Sequence, residues 1–401
     1  MLPITTKQTV SFVDALFTST SAVCVTGLIA VDTADTFTTL GQGVVAMLIQ
    51  VGGLGVTSIG VSLVLLSGKY IDFRKRALVC EAWNVTTLRG VVQLVRSVLI
   101  TTLCFESVGA ILSFLVFRQD YPTLKAIGIS VFHSVAAFNN SGFDILGNYQ
   151  GLTGYADSIL LNIITCVLII FGGLGFLVIQ DIVKHRRFRK LMLHSKVVIS
   201  TTIVLLVVGT ILIYVTEEGL PLLGAFFFST SARTAGFSTY NLAEFGTASL
   251  FVITILMFIG ASPGSTGGGI KTSTFFVIIN ALKASFTNQH CQCFHRKIAK
   301  DVISKAFAIM SLSLSVVCIG TLTLCVMEPH LTFLQNLFEV VSAFGTVGLS
   351  TGITPNLGDD SKLLLTLIMF IGRVGPFTIL TIWFSQGQKP SHYVEENISI
   401  G

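Results

Sequence analysis

Four short stretches of this chain end in a glycine that follows small or polar residues. They are Cys24-Val25-Thr26-Gly27, Asn139-Asn140-Ser141-Gly142, Arg233-Thr234-Ala235-Gly236 and Gly345-Thr346-Val347-Gly348. Each follows an Ala/Ser/Phe-rich segment, at 17–23, 131–138, 226–232 and 338–344. About 25 to 30 residues further on, each is answered by glycine inside an apolar run: Gly52-Gly53-Leu54-Gly55, Gly172-Gly173-Leu174-Gly175, Gly260 and Gly372. One such motif would carry no information, but four in register are an internal repeat. The repeated unit has the content of an ion-selectivity filter, used four times in one chain.

The surroundings of the motifs are those of a membrane protein. The 401 residues are 52% hydrophobic and 11% charged, against roughly a quarter charged in soluble domains. Apolar runs of spanning length cover 43–66, 91–117, 158–183, 197–215, 247–282, 306–327 and 362–384. A span needs about 20 residues at 1.5 Å rise, so seven spans are expected. Lys69, Arg74, Lys75 and Arg76 follow the first run; Lys184, Arg186, Arg187, Arg189, Lys190 and Lys196 follow the third; Lys283, Arg296, Lys297, Lys300 and Lys305 follow the fifth. The other ends carry Asp32, Asp35, Asp157, Glu217, Glu218, Glu244, Glu328, Asp359 and Asp360. Basic loops stay cytoplasmic, so the acidic ends and the motifs near them face outward. The net charge of +5 is thus an insertion signal, and its scatter over separate loops argues against nucleic acid as a partner. No cleavable signal peptide is read in Met1 to Thr9.

Between the spans lie four segments of roughly 12 residues, at 11–23, 125–138, 220–232 and 332–344, too short to cross a bilayer. Re-entrant half-helices fit them, since such segments persist at membrane depth when buried in protein or lining a watery cavity. The expected fold is all-α and polytopic: a fourfold pseudo-repeat of outer helix, pore half-helix, filter and inner helix around a central pore. Repeat 1 covers 1–68, repeat 2 88–190, repeat 3 191–290 and repeat 4 298–390. The first repeat opens on its half-helix at Phe12 with no outer helix before it; an upstream segment missing from the sequence is the expected reason, with Met1 on the outer side as the alternative.

The filter chemistry follows from the residue types. A monovalent cation exchanges its hydration shell for backbone carbonyl oxygens when the chain is extended and its side chains point away. The motif glycines permit positive φ and keep a Cβ off the axis. Half-helices aim roughly half a negative charge each at the pore, and Ala22, Ala136, Ala137, Ala232 and Ala343 let them approach closely. A monovalent cation at these carbonyls is what the residue types lead one to expect. A turn role is the bland alternative for any one glycine, and the fourfold register outweighs it.

The third inner helix is interrupted by Gly260-Ala261-Ser262-Pro263-Gly264-Ser265-Thr266-Gly267-Gly268-Gly269-Ile270-Lys271-Thr272. Glycines and a proline in mid-membrane cannot continue a helix. A polar loop below the filter reads as a gate, with a static kink as the alternative, and Ser262, Ser265, Thr266 and Lys271 as candidate cavity-lining groups. Arg373 stands alone in 363–383. A guanidinium in hydrocarbon costs at least about 2.5–3.5 kcal/mol, so it should face the pore, either as a barrier to cations or holding the loop through its carbonyls. Arg233 is expected to point behind the third filter and brace it. Asp14 and Glu339 read as helix N-terminal acids, with ion ligation as the alternative. Glu106 is open, with a polar group on a neighbouring helix as a candidate partner.

Cys104, Cys166, Cys318 and Cys325 read as small apolar residues. A metal cluster at His290-Cys291-Gln292-Cys293-Phe294-His295 is disfavoured by its spacing. His133 lacks an evident serine partner, which argues against an intramembrane hydrolase.

With these features placed, the chain resembles the Trk/Ktr/HKT superfamily of potassium transporters, and most of all the membrane subunit of bacterial Ktr systems, from Asp14-Ala15-Leu16-Phe17 through Asp32-Thr33 onward. The resemblance covers nearly the whole chain. It implies a potassium-selective pore in a bacterial cell membrane, an intramembrane gating loop mapping onto 261–272, and a gating arginine mapping onto Arg373. It further implies homodimers and a cytosolic nucleotide-binding regulatory ring, for which the basic loops 184–196 and 283–305 are candidate docking surfaces, with sodium as a candidate activator. In that family a serine at the first filter glycine goes with sodium transport, and Gly27 stands here. No chemical catalysis and no covalent cofactor are expected. A sodium-permeable cation transporter and a sodium-coupled solute symporter are the alternatives, although a symporter calls for inverted repeats.

Overall fold

The computed structural model describes residues 4–55, 59 and 91–378. Within them the regular elements are helices, apart from a two-stranded hairpin, β1 (Gln292–Cys293) with β2 (Arg296–Lys297), in the loop between the third and fourth repeats, and two isolated bridges. The basic segment at Lys69 to Arg76 and the ends of the first and last apolar runs lie outside the described residues.

The first repeat holds α1 (Phe12–Cys24), a turn α2 (Thr33–Thr36) and α3 (Thr39–Leu54). Ser11 caps α1 by accepting from the Asp14 amide, and Thr38 caps α3 by accepting from Gly41. The second holds α4 (Val91–Phe117), α5 (Thr123–Phe138), α6 (Ile159–Leu174) and α7 (Phe176–His185). The third holds α8 (Leu193–Thr216), α9 (Leu222–Ser231), α10 (Thr247–Phe258) and α11 (Thr272–Phe286). The fourth holds α12 (Lys300–Met327), α13 (Phe333–Gly345) and α14 (Asp359–Val374). A reciprocal capping box between Thr332 and Gln335 starts α13.

The half-helices α1, α5, α9 and α13 share the centre of the molecule. Each inner helix packs on the half-helix of the next repeat: α3 on α5, α6 on α9, α10 on α13, and α14 back on α1. The repeats therefore close into a ring. Ala22, Ala136, Ala137, Ala232 and Ala343 are all fully buried, as close approach of the half-helices requires. Outer faces carry exposed Leu, Ile and Val, among them Ile111, Val207 and Leu322. Such a surface suits hydrocarbon rather than water.

Span lengths differ from the seven spans expected, of which only the one at 247–282 is expected to be broken. Among the described residues only Gln93–Phe117, Leu193–Thr216 and Lys300–Met327 are long and apolar enough to cross alone. The run 158–183 is not one rod, because α6 and α7 meet at 96°. Gly175 sits at that corner with φ 90°, backbone available to glycine almost alone. α3 and α14 also end on positive-φ glycines, Gly55 and Gly375. Among the described residues a positive-φ glycine thus ends α3, α6 and α14, so the stop seen in the third repeat is not peculiar to it. Glu339 also departs from expectation: it lies in the middle of α13, fully buried, rather than at its N-terminus.

Candidate functional site

At the C-terminus of each half-helix the chain turns through the same geometry. The second motif residue is left-handed in all four repeats, with φ of 58° at Val25, 58° at Asn140, 78° at Thr234 and 48° at Thr346. The fourth is a positive-φ glycine: Gly27, Gly142, Gly236 and Gly348. Turn hydrogen bonds return to the half-helix, from Thr26 to Ser21, Ser141 to Ala136, Ala235 to Ser231 and Val347 to Ser342. A Cβ on Gly27 would strike the Ser141 carbonyl oxygen; on Gly142, that of Ala235; on Gly236, that of Val347; on Gly348, that of Thr26. Each glycine abuts the third-position carbonyl of the next repeat, and the fourth returns to the first. Four backbone segments therefore form a closed ring with no room for side chains between them. The side chains of Val25, Thr26, Asn140, Ser141, Thr234, Ala235, Thr346 and Val347 are buried, as are those of Cys24 and Asn139.

Three serines hold this ring. Ser21 Oγ accepts from the Gly27 amide at 3.1 Å and donates to the Leu28 carbonyl at 2.7 Å. Ser342 Oγ accepts from the Gly348 amide at 3.1 Å, and Ser231 donates to the Phe237 carbonyl at 2.5 Å. Sequence reasoning did not single them out. Their signal was available, a serine five or six residues before the motif glycine in repeats 1, 3 and 4.

Residues 259–271 are non-helical apart from one parallel bridge, Ile259 to Ile270. This loop lies against the motifs: a Cβ on Gly267 would overlap Thr234, and one on Gly268 would overlap Thr346. It is tied to the second repeat by the Ser262 amide donating to Gly173 and the Phe176 amide donating to Gly264, both at 3.1 Å. Lys271 Nζ folds back on the Gly267 carbonyl at 2.7 Å. Ser265 and Lys271 line a cavity of about 880 Å³ with His194, Lys297, Lys305 and Arg373. Ser262 and Thr266, expected to line it, are instead fully buried, with Ser262 bonded to Thr272 at 3.0 Å.

Arg373 closes the arrangement from below. Its Nη1 donates to the Thr266 carbonyl in the loop, and its Nη2 donates to the Gly52 carbonyl at the end of α3. Arg233 is buried, but its Nε has no partner among the described residues, so the bracing expected of it is not made through that atom. Glu339 accepts from Thr354 Oγ1 in the segment after the fourth motif. Asp14 does stand in the first turn of its helix, where it also pairs with Lys362 of α14 at 2.7 Å. Glu106 accepts from Asn139 Nδ2 at 3.0 Å, just past the end of α5, and also pairs with Gln50 of the neighbouring helix α3. His133 Nε2 meets Thr165 Oγ1 at 2.9 Å between the rings of Phe117 and Phe237, a core histidine. No group of three His, Cys, Asp or Glu side chains gathers to hold a metal among the described residues, the 290–295 segment included.

A ring of four like-oriented repeats, each bringing a half-helix and a bare backbone turn to one axis, defines a membrane transport protein rather than an enzyme. The family model for TrkH, a cation transport protein, matches residues 2–391, and the chain belongs to that family. It is 36% identical to the Ktr system potassium uptake protein B of Bacillus subtilis, over 100% of this chain and 92% of that protein. It is also 36% identical to the potassium/sodium uptake protein NtpJ of Enterococcus hirae, over 98% and 91%. The crystal structure of the potassium transporter TrkH from Vibrio parahaemolyticus shares its fold, with TM-score 0.74 at 19% identity, over 94% of this chain and 79% of that one.

Proposed function

We propose that this chain carries out potassium uptake across a bacterial cell membrane, through a selectivity filter formed by the four motif segments. One observation carries the reading: the four glycines stack edge to carbonyl around a closed ring, which sets backbone oxygens of all four repeats side by side. Carbonyl rings of this kind substitute for a potassium ion's water. The residues involved are Cys24 to Gly27, Asn139 to Gly142, Arg233 to Gly236 and Gly345 to Gly348. The names of the Bacillus and Enterococcus relatives support the ion. The filter segments belong to repeats 1–68, 88–190, 191–290 and 298–390.

Beneath them, Gly260 to Gly269 with Lys271 act as a gate held shut by Arg373. Its guanidinium bridges the loop and α3, and its charge sits on the path below the ring. The chain works as a homodimer in lipid, with a cytosolic nucleotide-binding ring acting on the loop. A sodium-permeable variant of this function is the second reading, favoured by the name of the Enterococcus relative.

The test is rubidium uptake and potassium-limited growth in a bacterium lacking its own potassium importers. The full chain is expressed with a cytosolic ring subunit supplied. Gly27→Ser and Gly348→Ser should each reduce the preference for potassium over sodium by about tenfold or more, since one added Cβ disturbs a ring oxygen and each tenfold is only about 1.4 kcal/mol. Wild-type preference in both variants, at normal membrane abundance, would sink the filter reading.

A further inference from the structure

The four motif segments are not held alike. Repeats 1, 3 and 4 use a half-helix serine against the amide of the motif glycine (Ser21 and Ser342) or the carbonyl of the residue after it (Ser231). In repeat 2 the position six residues before the glycine is Ala136, which has no hydroxyl to offer. Ser141 Oγ donates to the Ala136 carbonyl at 3.2 Å, which ties the turn to its helix but reaches neither Gly142 nor the residue after it. What holds this segment lies behind it. Asn139, the first residue of the motif, is fully buried, and its Nδ2 meets three acceptors: Gln50 Oε1 at 2.8 Å, Val135 carbonyl at 2.9 Å and Glu106 Oε1 at 3.0 Å. Two amide protons are thus shared among three oxygens from three helices.

Each partner is itself fixed. Glu106 stands on α4, which Ser134 of α5 clips by donating to the Glu106 backbone carbonyl at 2.7 Å. Gln50 stands on α3, one turn before Gly53, where a Cβ would overlap the Asn139 side-chain oxygen. A buried carboxyl group within a membrane helix is expensive and persists where it performs a task. Here it does not line the cavity, and its described side-chain hydrogen bonds run to Asn139 and Gln50.

We propose that Glu106 is a positioning residue for the second motif segment: with Gln50 it fixes Asn139, replacing the serine brace of the other repeats, and so sets ion discrimination without touching the ion. This rests on the filter reading above. The carboxyl acts as a hydrogen-bond acceptor, so glutamine can stand in for it and alanine cannot.

The experiment measures rubidium uptake by the full chain in the importer-deficient bacterium, with sodium and potassium as competitors and membrane abundance read by immunoblot. Glu106→Ala and Gln50→Ala should each lower the potassium-over-sodium preference by about tenfold, the worth of one strong hydrogen bond to a buried group. Glu106→Gln should stay within about twofold of the wild type, and Glu106→Ala should add less than about twofold to Asn139→Ala, because both act through one contact. If Glu106→Ala does not reach the membrane, Gln50→Ala carries the decision. Wild-type preference in the abundant alanine variants, or equal damage from Glu106→Gln and Glu106→Ala, overturns the inference. Gly27→Ser separates the two claims: unchanged preference there defeats the filter itself, whereas a shift there with none at Glu106→Ala defeats only the positioning role.

Discussion

Val25, Thr234 and Thr346 are β-branched residues held at positive φ. That conformation costs roughly 1–2 kcal/mol per residue, and it recurs in three repeats at the same motif position. Recurrence marks the strain as part of the ring's construction rather than a local accident. It was not legible in the sequence, because neither valine nor threonine signals a left-handed turn; the glycine two residues later was. Arg373 was legible in a different way, as one charge in an apolar run. Its two carbonyl partners, Thr266 and Gly52, are what support the proposed gating role. Arg373→Ala leaves both carbonyls free and, on the proposed gate reading, removes a positive charge beneath the ring. With charge-assisted bonds at about 1.5–3 kcal/mol each, rubidium uptake into proteoliposomes without a ring subunit should rise by roughly tenfold or more. An unchanged basal rate would show that the arginine does not restrain the loop.

At the scale of elements, the half-helices were readable almost to the residue. The expected segment 11–23 is Phe12–Cys24 and the expected 332–344 is Phe333–Gly345, since a polar cap opens each and a motif turn closes it. The inner helices were not, because the apolar run passes straight through Gly175 and hydropathy carries no record of a 96° corner. Gly175→Ala puts a Cβ 2.8 Å from the Pro263 carbonyl as well as forcing positive φ. A loss of about 1–3 kcal/mol is expected, read as a lower unfolding temperature in detergent, with an unchanged temperature arguing that the corner is soft. The joint between α12 and α14 titrates. Glu328 accepts from the Gly358 amide at 2.9 Å and Ser361 Oγ at 2.7 Å, and the Gly358 bond leads in holding its carboxyl below the ordinary value of 4.5. A lowered folded value means the contribution is present above pH 4.5 and fades as pH falls through the folded value. Glu328→Gln should lower stability by about 1–3 kcal/mol at neutral pH and flatten the acid limb of a pH–melting profile. An acid limb identical to the wild type would remove Glu328 from that role.

For the whole molecule, the decisive contact is the one that returns the fourth repeat to the first. A chain of four repeats has one junction without covalent continuity, and here it is α14 against α1. Gly348 reaches the Thr26 carbonyl across it. Outside the motifs, Lys362 of α14 donates to Asp14 of α1 at 2.7 Å, with both side chains largely buried, at 8% and 19% exposure. Sequence reading gave Asp14 a dipole role and passed over Lys362, because residues 348 apart give no local sign of meeting. Removing one member of a buried pair strands the other, which costs about 3–5 kcal/mol, while replacing both with apolar residues is often neutral. Lys362→Ala should therefore lower detergent stability and uptake together, by more than Asp14→Leu with Lys362→Met combined. Should the double replacement restore stability but not potassium preference, the pair matters to the ring's register as well as to its closure. A single Lys362→Ala variant as stable as the wild type would mean that the junction is held by the packing of α14 on α1 alone.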